Sequence, residues 1–221
     1  MGELVQLVTP LHQATPRNYV ERMLDKKIDC MRVAKEYDFD YWDGERRFGY
    51  GGYKYIPGRW KTVAQGLIDR YSLGPGSRVL DAGCGKGYLL YEMTLLQPDL
   101  EIQGFDISRY ALRHGKNEIK EKLYQHDLRK PFLFEENYFD LVVSVGCLHN
   151  LPLPSVVQSL SEIQRVGRQG YIMVESFRNE KEFFNLQCWA LTAETLLNVE
   201  SWRWLHQSAG YTGDFEFIFF V

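Results

Sequence analysis

Two rhythms of apolar residues run along this chain, and the change falls near residue 73. In PRNYVERMLDKKIDCMRVAKEY, residues 16–37, Tyr19, Met23, Ile28, Met31 and Val33-Ala34 recur at intervals that predict a helix behind Pro16. The next stretch, FDYWDGERRFGYGGYKYIPGRW over residues 39–60, is aromatic and carries five glycines, too irregular for a regular element. Residues 61–72 return to helical spacing, and Gly74-Pro75-Gly76 ends that helix.

Beyond residue 73, short apolar runs alternate with amphipathic stretches. The runs at 78–81, 101–106, 122–126, 140–145, 170–175 and 215–220 predict strands. The stretches at 88–96, 109–119, 155–165 and 195–209 predict helices. Strand and helix in alternation predict an α/β fold, a parallel sheet with helices on both faces joined by right-handed crossovers. Such a sheet binds ligands beyond the carboxyl ends of its strands, where the winding reverses.

Composition removes several classes of function. The 221 residues are 45% hydrophobic and 25% charged, which suits one compact domain with a sizeable core. The formal net charge is −3, so a basic footprint for nucleic acid is missing. Cys30, Cys84, Cys147 and Cys188 lie far apart without metal-ligand spacing, which reads as four reduced thiols in a cytoplasmic protein with no metal site. The first residues, MGELVQLVTPLHQ, have no leader pattern, Gln6 excludes myristoylation, and no apolar run is long enough to span a membrane.

The most informative stretch is VLDAGCGKGYLLYEM, residues 79–93: a strand ending in an acid, glycines at alternate positions, then helix formers. Gly83, Gly85 and Gly87 let backbone approach a ligand, and the helix start offers free N–H groups. A phosphate-binding P-loop requires a hydroxyl after its lysine, but Gly87 follows Lys86. A dinucleotide turn requires a third glycine where Tyr88 stands. Asp81, two residues before the first glycine, would repel a pyrophosphate and attract an α-ammonium group. Asp106 ends the next strand, where an acid accepts from ribose hydroxyls, and Asp127 ends the third, where it can accept from an adenine amino group beside the Leu128 N–H. A ribose and an amino-acid head without a diphosphate describe S-adenosylmethionine.

VLDAGCGKG, GFDIS, HDL and FDLVVSVGCLHNL resemble the class I S-adenosylmethionine-dependent methyltransferases, over residues 78–175. The longer pattern, with FGYGGYKY ahead of the glycine turn, is similar to small stand-alone bacterial methyltransferases of surface-polysaccharide or small-metabolite modification. The resemblance implies a doubly wound, mostly parallel Rossmann-like sheet of six or seven strands in a core over residues 73–221. Residues 1–72 would form a helical and aromatic lid. It implies that Asp81, Gly83, Cys84, Gly85, Gly87, Asp106, Ile107, Asp127, Leu128 and Gly146 hold the cofactor. One departure is visible: the family sheet usually ends in a hairpin of two strands, whereas a single strand, in TGDFEFIFFV, follows Glu175. Either a last strand is missing or residues 183–191 supply other structure.

Methyl transfer from a sulfonium needs a nucleophile held in line and, for a hydroxyl, a base. The resemblance puts acceptor-side residues after the fourth strand, at Gly146-Cys147-Leu148-His149-Asn150, which makes His149 a base or a residue that only lines the pocket. Glu175 would bind the acceptor or pair with Arg178, and Tyr53, in the Tyr50–Tyr55 stretch, would close over an acceptor. Arg59 and Lys61 would hold an acceptor anion or stand in solvent. His114, Trp189, Trp202 and Trp204 read as structural. The expected acceptor is a small polar molecule, a saccharide or nucleotide-linked sugar methylated on oxygen. A protein or small-amine N-methyltransferase, a non-catalytic cofactor-binding subunit and a dehydrogenase stay open as alternatives.

Overall fold

The computed structural model describes residues 2–50 and 54–221. Its six strands are β1 (Arg78–Ala82), β2 (Glu101–Asp106), β3 (Leu123–Gln125), β4 (Leu141–Val145), β5 (Gly170–Glu175) and β6 (Asp214–Ile218). They form one sheet in the order β3-β2-β1-β4-β5-β6, every neighbouring pair parallel. Register runs from Arg78 opposite Glu101 to Ala82 opposite Phe105 on one side of β1, and from Val79 opposite Leu141 on the other. The winding reverses between β1 and β4, so the crevice opens where their carboxyl ends diverge.

Alternate residues of each strand face opposite layers. Val79, Ile102, Leu141, Val143 and Tyr171 pack beneath α5 (Lys61–Arg70), α6 (Tyr88–Leu96) and α9 (Glu180–Trp189). Leu80, Ala82, Phe105, Val142, Ile172 and Val174 pack beneath α8 (Leu153–Val166) and α10 (Val199–Ser208). Helix α8 presents Val156, Leu160 and Ile163 to the sheet, one face of a 3.6-residue period. Each such buried side chain contributes about 1.5–3 kcal/mol.

The doubly wound sheet matches the sequence expectation, and its strand number is six. A single parallel strand, β6, takes the place of the family's terminal hairpin, and residues 183–191 fall in α9 and just beyond it. The free edge of β6 is occupied by the start of the chain: Val5 N–H donates to Phe215 O at 3.0 Å and Phe215 N–H to Glu3 O at 3.1 Å. The fully buried Glu216 carboxylate then accepts from the Leu7, Val8 and Thr9 amides, the Thr9 hydroxyl and the Tyr171 hydroxyl. These bonds fix α1 (Thr9–Gln13) against the sheet.

Four expectations are corrected. The helix expected over 16–37 is two, α2 (Tyr19–Leu24) and α3 (Lys27–Ala34), because the chain turns at Lys26 with φ of 42°. The stretch over 39–60 holds a helical turn, α4 (Phe39–Trp42), which the Asp38 side chain caps, and a 3-10 turn over Arg46–Phe48. The helix expected over 109–119 stops after α7 (Arg109–Arg113) and resumes as a 3-10 stretch, Asn117–Lys122. There Gly115 passes so close to Lys86 O that a Cβ would stand 2.8 Å from it. The helix expected over 195–209 begins at Val199, where Asn198 accepts from the Ser201 amide at 2.8 Å.

Candidate functional site

A cavity of about 820 Å³ opens above the carboxyl ends of β1, β2, β4 and β5. Core strands supply its floor. The N-terminal segment, α4 and the end of α9 supply its walls.

The glycine turn after β1 forms one half. Gly83, Gly85 and Gly87 have φ of 91°, 55° and 72°. At Gly85 a side chain is also blocked by the Trp42 indole, 2.7 Å from where its Cβ would be. Gly85 N–H donates to one Asp106 oxygen at 2.8 Å and Ser108 N–H to the other, also at 2.8 Å. Asp106 therefore ties the turn to β2 and also lines the cavity. Asp81 differs. It is 3% exposed and its Oδ1 has no hydrogen-bond partner among the described residues. Burial, with the Asp106 charge nearby, pushes its carboxyl up to about 8. A bound ammonium is the group such a carboxylate lacks, and the positive-φ turn beside it leaves backbone free to approach. The residues present thus fit the amino-acid head and ribose of S-adenosylmethionine.

Ile107, Asp127, Leu128, Gly146 and Cys84 also line the cavity. Asp127 is already engaged by Arg129, whose Nε and terminal nitrogen sit 2.9 and 2.7 Å from its two oxygens, and that guanidinium holds the carboxyl below its ordinary range.

The other half is built around β5. His149 is 2% exposed; its Nδ1 accepts from the Glu175 N–H at 3.3 Å, and its Nε2 lies 3.5 Å from Glu175 Oε2. Burial drives the imidazole down to about 3, so it is neutral, with its proton on Nε2 facing the carboxylate. Glu175 Oε2 has no hydrogen bond among the described residues, and burial raises this carboxyl to about 7 against the pull of Arg17 and Lys27. The pairing of Glu175 with Arg178 is not found: Arg178 instead bonds Glu182 through both oxygens. Arg59 reaches the cavity wall, whereas Lys61 opens α5 outside it. Tyr53 lies outside the described residues.

Several lining residues escaped the sequence reading. Trp42 donates to Tyr37 O at 3.0 Å and to Ser108 Oγ at 2.8 Å, and the buried Lys86 ammonium meets Asp43 at 2.7 Å. Asp43 also accepts from the Tyr110 hydroxyl, so α4 is clamped onto the glycine turn. Trp189, read as structural, forms a wall with Phe220, and Arg17 lies over both rings at 5.2 and 5.5 Å. Residue type alone marks none of these; the Asp38 cap before Trp42 is the one local signal.

The methyltransferase domain family matches residues 73–211. A tRNA (carboxymethyluridine(34)-5-O)-methyltransferase of Arabidopsis thaliana is 30% identical over 149 residues, 65% of this chain and 34% of that protein. A malonyl-[acyl-carrier protein] O-methyltransferase of Legionella pneumophila is 30% identical over 114 residues, 48% of this chain and 40% of that one. The chain spans between a third and a half of the length of these curated relatives. Among solved structures, the Bacillus subtilis YcgJ protein superposes with a TM-score of 0.54 at 15% identity, covering 66% of both chains. A Haemonchus contortus phosphoethanolamine N-methyltransferase in complex with S-adenosylhomocysteine gives 0.53 at 17% identity, covering 89% of this chain and 45% of that one. The family match takes in five of the six strands and the whole glycine turn, and on that extent this chain belongs to the class I S-adenosylmethionine-dependent methyltransferase family.

Proposed function

We propose that the chain transfers a methyl group to an oxygen of a small polar molecule held in the Glu175 half of the cavity. S-adenosylmethionine, when bound, supplies an electrophilic sulfonium methyl and leaves as S-adenosylhomocysteine. The observation that carries this reading is Asp81, a buried carboxylate whose Oδ1 has no hydrogen bond among the described residues, beside a turn of three positive-φ glycines. Asp81 receives the ammonium head, Asp106 the ribose hydroxyls, and Asp127 with the Leu128 amide the adenine edge. Cys84, Ile107 and Gly146 flank them.

Glu175 is the best-placed base. In its ionised form it takes the proton of an acceptor hydroxyl while that oxygen bonds to the methyl carbon, and the electron pair of the broken carbon–sulfur bond stays on sulfur. His149, neutral and already accepting from the Glu175 amide, positions this carboxylate. Oxygen is favoured over nitrogen because a hydroxyl needs the base that Glu175 supplies, and the Arabidopsis and Legionella relatives are both named as O-methyltransferases. A saccharide hydroxyl is one member of this acceptor class. The name of the Arabidopsis relative offers tRNA as a second reading, which the net charge of −3 disfavours.

Calorimetric titration with S-adenosylmethionine and with NAD, followed by a tritium-labelled methyl-transfer screen of hydroxylated metabolites and amines, tests the proposal. S-adenosylmethionine binds and NAD does not. Tight NAD binding with no response to S-adenosylmethionine would overturn it.

A further inference from the structure

Three arginines surround the Trp189 indole: Arg22 at 4.6 Å, Arg17 at 5.2 Å and Arg46 at 5.7 Å from the ring centre. Arg17 and Arg46 line the cavity. Among the described residues neither of these two has a carboxylate within ion-pair distance, although the next arginine, Arg47, reaches Asp25 at 2.5 Å. The donors of Arg17 go to neutral groups, His12 O at 3.0 Å, Thr15 O at 2.9 Å and His12 Nδ1 at 3.0 Å. Its Nε is buried without a partner among the described residues.

Two like charges are thus brought together on an apolar wall, and Tyr19 and the Glu175 carboxylate act on Arg17 against them. The excess of positive charge reaches further. Lys27, behind the same wall, is pushed down to about 8 by burial and by Arg22. Half-buried Arg17 beside exposed Arg46 is a pair of like charges that an anion shared between them would relieve. Planar, multiply donating groups of this kind match the oxygens of carboxylates and phosphates.

Resting on the methyl-transfer reading above, we propose that the acceptor carries a carboxylate or phosphate group, held by the guanidiniums of Arg17 and Arg46 against Trp189. The nucleophilic oxygen of the acceptor then lies on the Glu175 side of the anion. Charge on the acceptor selects it: a neutral analogue leaves both arginines unneutralised.

Anion binding is measured by calorimetry in chloride-free buffer at low ionic strength, with and without S-adenosylhomocysteine. The probes are inorganic phosphate, benzoate and the neutral benzamide. Phosphate or benzoate binds and benzamide does not, and which anion binds separates the two sources. Arg46→Gln weakens the bound anion about tenfold and Arg17→Gln at least as much, while the affinity for S-adenosylhomocysteine is unchanged. Arg46 makes no side-chain hydrogen bond that the fold depends on among the described residues, so its variant stays informative if Arg17→Gln does not fold. Absence of binding by both anions, equal binding of benzamide, or anion binding indifferent to both substitutions overturns the proposal. S-adenosylhomocysteine binding with no anion binding sinks this inference and leaves methyl transfer standing. Arginine-dependent anion binding without S-adenosylhomocysteine binding does the reverse.

Discussion

The two halves of the cavity are built on opposite plans. The donor half comes from consecutive strand ends, Asp81, Asp106 and Asp127, joined by a turn whose shape is set by backbone dihedrals and amide hydrogen bonds. The acceptor half is assembled from side chains far apart along the chain: Arg17, Arg46, His149, Glu175, Trp189 and Phe220. A backbone-built site has little freedom to change, because its shape is set by positive-φ glycines and by bonds such as that of the Gly85 amide to Asp106. A site built of side chains can be altered one residue at a time while the sheet stays as it is. The same cofactor half can therefore serve chains with different acceptors.

Separating the halves is the hardest test of that contrast. Glu175→Gln removes the proposed base and keeps the shape, so turnover with an acceptor found by the labelled screen falls by about 10²–10⁴-fold, while calorimetry finds S-adenosylhomocysteine binding intact. Loss of both together would show the halves to be one unit. In the parent, turnover climbs as pH rises through about 7, because Glu175 acts as a base only when ionised and burial holds it there. Gly85→Ala strikes the other half. A side chain at φ of 55° is strained and must displace the Trp42 indole, so stability falls by about 2–4 kcal/mol in urea unfolding, and S-adenosylhomocysteine affinity falls with it.

The same difference decided what the sequence made legible. The donor half could be read because its parts are local: an acid two residues before a glycine, and acids that end the next two strands. The six strands could be read because each is a short apolar run with a turn behind it. The arginines of the acceptor half could not, since nothing near Arg17 or Arg46 in the chain distinguishes them from surface arginines. Arg17 reaches the cavity because Glu216, some 200 residues on, holds the N-terminal segment against the sheet. Glu175 illustrates the intermediate case. Its place at a strand end was visible, but its expected partner Arg178 has Glu182 one helical turn away and takes that instead. The break in the expected 109–119 helix has the same origin, a tertiary contact between Gly115 and Lys86 that overrides local preference.

Asp81→Asn exposes a cost hidden inside the donor half. Loss of the carboxylate weakens S-adenosylhomocysteine by about 1.5–3 kcal/mol, the scale of a hydrogen bond to a charged group. The ligand-free protein responds in the opposite sense. The folded pKa of Asp81 stands at about 8, above the ordinary 3.8, so the native chain keeps a proton that the unfolded chain loses. Parent stability therefore declines as pH rises from about 4 toward 8, and the variant loses that part of the decline. If urea unfolding finds the Asp81→Asn variant less stable than the parent at pH 8, Asp81 is already paired without its ligand.

The smallest effect belongs to Tyr50, which supports the acceptor half without carrying chemistry. Its hydroxyl oxygen accepts from the Leu191 amide at 2.7 Å and the Thr192 amide at 3.1 Å, and it meets Thr192 Oγ1 at 3.0 Å. Tyr50→Phe leaves two amides short of an acceptor at the end of α9, beside Trp189, and costs about 1–2 kcal/mol in thermal or urea unfolding. Nothing in the glycine turn touches this hydroxyl among the described residues, so S-adenosylhomocysteine affinity stays at the parent value. Anion affinity drops, because the hydroxyl holds the Leu191 and Thr192 amides just beyond Trp189, the ring against which Arg17 and Arg46 lie. If calorimetry instead shows cofactor and anion affinity falling by the same factor, the wall and the turn move together, and the acceptor half is not the separately adjustable region that its construction implies.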